Sequence, residues 1–423
     1  MDASSTARPA EEGRFPYPVL LLTSTAYVAV LLNIQGFVAM MPLVQSEFGI
    51  TRAQAGLYSS FYFLSATIVA VFAGRLSDRL GARRGMVLGC CAVGIMIVLH
   101  GAAPVFGWIL GLAFVTGVGF SLITPSVTSA VIENVSSRRR AGAMGVAHGV
   151  GGTGALIGTM ALPALGERFG WRPVMVVAGF AAVAIGLVIM ATYGRLSVPR
   201  SGHDGGGADA AASFTAQLRE LLSRRAFVCA CVMGIAFGLG IASITGHFTL
   251  FMHSDLGYSP TLAGFALGAF HVGGILGQPT WGVINDRLYD GRRHAGLFTL
   301  SVLTASLSLV FGLVVARGLV PYPGIVALAA LLGFFVLGTP GLFFTTVTEI
   351  APSGSAGLAT GVALMFSRVG VMVAPPVFGH IADVTGVYAT SWVVLAVASV
   401  AVSGGAMIAL AGGRSRSDSR SGG

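Results

Sequence analysis

Gly74-Arg-Leu-Ser-Asp78-Arg79-Leu-Gly81-Ala-Arg83-Arg84 stands between two long apolar runs, and 208 residues further on Gly282-Val-Ile-Asn-Asp286-Arg287-Leu-Tyr-Asp-Gly-Arg292-Arg293 stands in the same setting. Each stretch places an Asp-Arg-Leu triplet and two arginines where a hydrophobic segment meets water. The same offset pairs Ala55-Gly56 with Ala263-Gly264. An offset of 216 pairs Glu133 with Glu349, Gly145-Val-Ala147 with Gly361-Val-Ala363, Gly154 with Gly370 and Gly170 with Gly386. Thr124-Pro125 matches Thr339-Pro340 one residue out of step. Glycine matches carry little weight in a chain with 61 glycines, but charged residues recurring at corresponding segment ends do. The chain reads as two copies of one unit.

The units are built for lipid. The 423 residues are 54% hydrophobic and 10% charged, with a mean hydropathy of +0.83, whereas soluble proteins carry about 25% charged residues. Twelve segments are long enough to span a bilayer as helices: 17–44, 53–74, 85–104, 106–132, 141–166, 171–194, 226–252, 260–284, 295–316, 322–348, 356–381 and 387–411. Helices are required because lipid offers no partner to an open backbone. The expectation is an all-α membrane protein of twelve transmembrane helices in two pseudo-symmetric six-helix halves. Residues 1–194 form the first bundle, 195–225 a cytoplasmic linker, and 226–423 the second bundle with a cytoplasmic tail.

Arginine sets the orientation. The chain has no lysine, so its +9 net charge comes from 25 arginines, and their distribution follows the segments rather than a nucleic-acid-binding patch. Arg52, Arg168, Arg172 and Arg317 fall in one set of loops, Arg368 falls inside a segment, and the other twenty share the opposite side. Positive charge stays in the cytoplasm, which puts both termini inside. The arginine-, alanine- and glycine-rich composition fits a GC-rich bacterial genome, which makes the bacterial inner membrane the expected location. In the linker, Ser201-Gly-His-Asp-Gly-Gly-Gly-Ala-Asp-Ala-Ala-Ala is flexible in composition. Phe214, Leu218, Leu221 and Leu222 then recur at helical spacing as a short surface helix.

Several patterns carry no chemistry. Cys90, Cys91, Cys229 and Cys231 sit in apolar segments and read as packing residues. Gly149-Val-Gly151-Gly152-Thr-Gly154 spells a dinucleotide-binding pattern, but no strand precedes it, so close helix packing is the reading. No metal or cofactor is implied.

The 74–84 stretch resembles the cytoplasmic signature of the major facilitator superfamily, and 282–293 resembles its weaker second copy; the likeness covers essentially the whole chain. It implies that Asp78, Arg79, Arg83, Asp286 and Arg287 gate the inner side through contacts between helix ends. Glu133 and Glu349, at corresponding inner ends, are then expected to partner Arg79 and Arg287. His247-Phe-Thr-Leu-Phe-Met-His-Ser-Asp255-Leu-Gly257-Tyr-Ser259-Pro resembles the bacterial monocarboxylate and oxalate/formate branch. That branch is expected to carry a cation just before the proline of segment 260–284; here Gln278 precedes Pro279, and segment 356–381 carries Arg368 instead.

Arg368 is the first candidate for substrate recognition. A charge at bilayer depth costs about 2.5–3.5 kcal/mol on insertion scales, and no Asp or Glu lies mid-segment to neutralise it. Its planar fork suits a carboxylate. His271, then His247, are the available proton carriers or oxyanion donors. Asn33 and Gln35 lie midway along the first segment, and Thr124 and Thr339 precede prolines. The segments holding them line the cavity in the resembled superfamily. Tyr58 and Tyr62 share one helix face and are placed at the outer mouth. His148 is read as structural. The expected function is alternating-access transport of a small organic anion, a monocarboxylate, by proton symport or anion exchange, in a lipid-embedded monomer that is not an enzyme. The alternative is proton-coupled drug efflux, which needs a titratable carboxylate within the membrane that this chain lacks.

Overall fold

The computed structural model describes residues 17–135, 137–196, 210–290, 292–352 and 355–421. Their regular structure is helical: α1 (Tyr17–Ala39), α2 (Met41–Phe48), α3 (Arg52–Gly101), α4 (Phe106–Asn134), α5 (Ser137–Phe169), α6 (Trp171–Leu196), α7 (Ala210–Ser223), α8 (Arg225–Ser254), α9 (Pro260–Leu288), α10 (Arg293–Leu313), α11 (Tyr322–Val336), α12 (Thr339–Ile350), α13 (Ala356–Thr385) and α14 (Tyr388–Ser421). Among the described residues, 11 helices are long and apolar enough to cross a membrane. The remaining expected segment, 53–74, is the first limb of α3.

Backbone chemistry explains where the helices depart from the expected segments. The 17–44 segment breaks at Met40, ahead of Pro42. The 322–348 segment divides at Leu337 and Gly338, ahead of Pro340. Proline lacks the N–H that a helix interior needs. Segments 53–74 and 85–104 join through Gly81, whose φ of 74° and ψ of 162° separate the two limbs of α3. A positive φ of this kind is open to glycine and strained for other residues. The surface helix expected before residue 226 is α7; it docks on α8, with Leu221 fully buried among Phe227, Cys229 and Met233. Glycines of the 149–154 run lie within α5, where Cβ atoms on Gly154 and Gly158 would meet the backbone oxygens of Val28 and Leu32 at 2.3 Å. They permit close packing on α1, as the sequence suggests.

In the first half α3 packs on α4 and α6, and α1 on α5; in the second, α8 packs on α13 and α14, α9 on α11, and α10 on α14. Two seams join the halves, α3 with α13 and α5 with α9. They are the same seam twice, because α9 corresponds to α3 at an offset of 208 and α13 to α5 at 216. In one, a Cβ on Gly56 would sit 2.5 Å from the Pro375 backbone; in the other, a Cβ on Gly264 would sit 2.4 Å from the Thr159 backbone oxygen. Both pairs are equivalent under the two offsets. Absence of a side chain lets the helices touch along these lines.

Pro375 and Pro376 lie inside α13. Pro376 cannot donate to the carbonyl one turn earlier, that of Met372. The Ser60 hydroxyl of α3 donates to that carbonyl instead, across the seam. A backbone group freed in lipid is thereby satisfied by the other half.

Because the Gly56 contact is with backbone, a side chain there must push the halves apart. Gly56→Val should lower stability by about 1–3 kcal/mol, read as a fall in the thermal unfolding midpoint. Gly357→Ala, with nothing within 4 Å of its Cβ, should leave the midpoint unchanged or raise it. Equal midpoints for Gly56→Val and the unmodified chain would contradict the seam.

Candidate functional site

A cavity of about 210 Å³ lies on the axis relating the halves. Ile34, Gln35 and Val38 of α1 face it, as do Ile241, Ala242 and Thr245 of α8, their counterparts at an offset of 207. Phe63 of α3 and His271 of α9 line it as equivalents at 208. Tyr58, Ser59, Tyr62, Phe237 and Val371 contribute further wall. The backbone is symmetric here while the side chains differ, so the cavity has chemically distinct sides.

Arg368 sits beside this cavity, about one helical turn along α13 from Val371. Its Nη1 donates to Thr67 Oγ1 across the seam at 3.3 Å, and its guanidinium lies 5.7 Å from the centroid of the ring of Phe63, a wall residue of the cavity. The hydroxyls of Tyr62 and Tyr27 lie within electrostatic reach, and no carboxylate among the described residues does. The counterparts of Thr67 and Arg368 in the other seam are Ile275 and Gly152. A Cβ on Gly152 would approach only Ile275, at 3.7 Å. One seam therefore holds a cation where its copy holds nothing.

The structure sorts the sequence candidates. Gln35, Tyr62 and His271 line the cavity. His271 is 5% exposed, and its Nε2 has no protein partner. Tyr58 is also a wall residue. His247 belongs elsewhere: its Nδ1 meets the Tyr388 hydroxyl at 3.0 Å and its Nε2 the Pro375 carbonyl at 2.7 Å. With both ring nitrogens engaged and the ring fully buried, His247 braces the proline pair of α13 and is not a wall residue of the cavity. Asn33 donates to the Ala29 carbonyl of its own helix at 2.8 Å. Thr339 does the same to Phe335 at 3.0 Å, and Thr124 bonds the Tyr27 hydroxyl. None of these three is a wall residue. Side-chain bonding to the preceding turn is the habitual use of polar residues in apolar helices.

The gating candidates are also redistributed. Glu349 pairs with Arg293, with Nη2–Oε1 at 3.0 Å and Nε–Oε2 at 3.1 Å, rather than with Arg287. Asp286 joins the same guanidinium. Arg83 donates to the Met190 carbonyl. These contacts each stay within one half. Arg79 and Arg287 are exposed, Glu133 is half-buried near Tyr193, and the side chains of Asp78 and His148 lie outside the described residues.

At the opposite end, carboxylate and arginine contacts cross between the halves, in residues that the sequence marks only as topology signals or not at all. Asp383 accepts from the backbone N–H groups of Arg52 and Ala53 at 2.9 and 2.8 Å, at the start of α3. Glu167 accepts from the N–H of Thr261 at 3.1 Å and from its hydroxyl, at the start of α9. These two clasps are the same clasp, since Ala53 corresponds to Thr261 and Glu167 to Asp383 under the offsets 208 and 216. A helix start is electropositive and has unpaired donors, so a carboxylate there is stabilising. The Arg52 guanidinium adds bonds to the carbonyls of Ala382 and Gly386, both at 2.8 Å, and an ion pair to Asp255 at 3.2 Å. The offsets that paired the glycines also paired these positions, which was the available signal.

Residues 23–253 and 230–422 each match the family model described as Major Facilitator Superfamily. The membrane sensor protein UhpC of Salmonella typhimurium is 27% identical over 379 residues, covering 83% of this chain and 82% of that protein. A gentisate transporter of Corynebacterium glutamicum is 27% identical over 353 residues, covering 79% and 74%. Among solved structures, a bacterial homolog of the human lysosomal transporter Spinster, inward-facing and unoccupied, superposes with a TM-score of 0.68 at 18% identity, covering 95% of this chain and 96% of that one. That likeness speaks for the fold.

The two histidines should separate experimentally. His247→Ala should lower the unfolding midpoint, since it leaves the Pro375 carbonyl and Tyr388 hydroxyl without their partner, at about 1–3 kcal/mol per orphaned group. His271→Ala should leave the midpoint near that of the unmodified chain. The opposite ranking would return His247 to the site.

Proposed function

The chain belongs to the major facilitator superfamily, and from that premise we propose that it is a secondary transporter carrying a small organic anion, a monocarboxylate, by alternating access. The observation that carries this reading is Arg368: a guanidinium deep in α13 whose polar contact is a single hydroxyl, beside a cavity between the halves. A carboxylate entering there gains a two-pronged, charge-assisted bond and removes the cost of an uncompensated charge in lipid. Gln35 and His271 orient the bound acid. Proton symport through His271, or exchange of one anion for another, completes the cycle. The gentisate transporter among its relatives and the likeness of 247–260 to the monocarboxylate and oxalate/formate branch support an organic acid. Drug efflux on a membrane carboxylate finds no such group among the cavity wall residues. The sensor relative lends itself to a signalling reading, but no observation at this site favours it.

The topology follows the arginines. Bundles 1–194 and 226–423 rock about the seams, with both termini and the 195–225 linker in the cytoplasm of a bacterial cell and the protein in the inner membrane as a monomer. The twin clasps on α3 and α9 then form the closed outer gate, and the cluster of Arg293, Asp286 and Glu349 belongs to the inner gate in its released form. Asp78, Arg79, Arg83, Arg287 and Glu133 lie at the same end and serve the closed inner state.

Two results are expected. Arg368→Gln should weaken carboxylate binding on the order of 10–100-fold, read as loss of ligand-induced thermal stabilisation; undiminished stabilisation would sink the anion reading. Asp383→Asn and Glu167→Gln should each loosen the outer gate. The rate at which a membrane-impermeant thiol reagent reaches Gln35→Cys from outside should rise about fivefold in each, which corresponds to about 1 kcal/mol at a helix start. Unchanged labelling in both would remove the clasps from the gate.

A further inference from the structure

We infer that the substrate of this site is a flat, ring-bearing acid with one carboxylate; the inference rests on the anion reading above. Size sets the first limit. The cavity of about 210 Å³ is smaller than the roughly 300–1,000 Å³ of drug-sized pockets. It is somewhat larger than the apolar protein cavity of about 150 Å³ that takes up benzene. A volume of this order matches a six-membered ring with one or two small substituents better than a drug-sized amphipath.

The wall sets the second limit. Tyr58, Tyr62, Phe63 and Phe237 present aromatic surface to the cavity from both halves, and aromatic faces favour offset or edge contacts with another ring. The remaining wall is largely aliphatic. A sugar or sugar phosphate needs a hydrogen-bond partner for each of its several hydroxyls, whereas the polar wall groups Gln35, Ser59, Thr245 and His271 are interspersed among rings and aliphatic side chains, and the Thr245 hydroxyl is already bonded to the Ile241 carbonyl at 2.7 Å.

Charge sets the third. The two seams repeat each other closely, so a dianion lying along the axis would meet a cation from each. Arg368 stands in one seam and Gly152 holds the equivalent place in the other. One cation calls for one carboxylate. Phe63 lines the cavity, and its ring centroid lies 5.7 Å from the guanidinium. An acid that holds its carboxylate on Arg368 and its body in the cavity passes this ring, which makes Phe63 the residue to select ring over chain.

The test is thermal stabilisation of the purified full-length protein titrated with benzoate, lactate and phthalate, in the unmodified chain and in Phe63→Leu and Arg368→Gln. Benzoate should act at concentrations roughly tenfold or more below lactate, in line with its extra buried apolar area, and phthalate should be weaker than benzoate. Phe63→Leu should narrow the gap between benzoate and lactate; if that variant does not fold, the ranking in the unmodified chain decides alone. Lactate equal to benzoate, with both effects lost in Arg368→Gln, would overturn the ring requirement and leave the anion reading standing. Phthalate binding tighter than benzoate would overturn the single charge. Stabilisation by none of the acids would overturn both.

Discussion

A guanidinium halfway along a membrane-spanning helix must be compensated by protein, water or ligand, because hydrocarbon cannot solvate it. In this chain the protein supplies one threonine hydroxyl at 3.3 Å and the face of a phenylalanine. The charged side chains that the structure does pair, among them Arg52 with Asp255 and Arg293 with Asp286 and Glu349, lie at helix ends near water. Arg368 is left to the path between the halves. The rest of the site is arranged around that deficit: a small cavity one turn away, a wall dominated by rings and aliphatic groups, and a histidine whose Nε2 lacks a protein partner.

A duplicated scaffold makes such a site possible. The two seams place glycines against backbone at equivalent points, and each ends in a carboxylate on the first turn of the facing helix. Equal seams let either end close without a preferred hinge, which suits a molecule that must open alternately to two sides. The departures from symmetry gather about the cavity: Arg368 against Gly152, Thr67 against Ile275, His271 against Phe63, Gln35 against Ala242. Selecting one molecule requires the two sides of the cavity to differ, while moving it requires the frames to match.

Much of this was legible in the sequence. Hydrophobic length gave the segments, and the repeated Asp-Arg-Leu triplets gave the halves and the family. Arg368 stood out because charge in an apolar run is rare. What the sequence hid was direction and partner choice. His247 and His271 look alike in a hydrophobic string, and only packing tells that one is tied to Pro375 and Tyr388 while the other lines the cavity. Asn33 and Thr339 could equally have faced a ligand or their own helix, and local backbone bonding won. The clasps of Asp383 and Glu167 went unread because a carboxylate in a loop ordinarily signals nothing more than solvent.

On the proposed reading, Arg368 binds an anion because no carboxylate among the described residues compensates it. Thr67→Asp supplies one at the atom Arg368 already touches, and the unfolding midpoint with and without benzoate reports the outcome. The account predicts a midpoint raised in the absence of ligand and no further rise on adding benzoate, since the internal carboxylate takes the anion's place. A benzoate shift as large as that of the unmodified chain would contradict it.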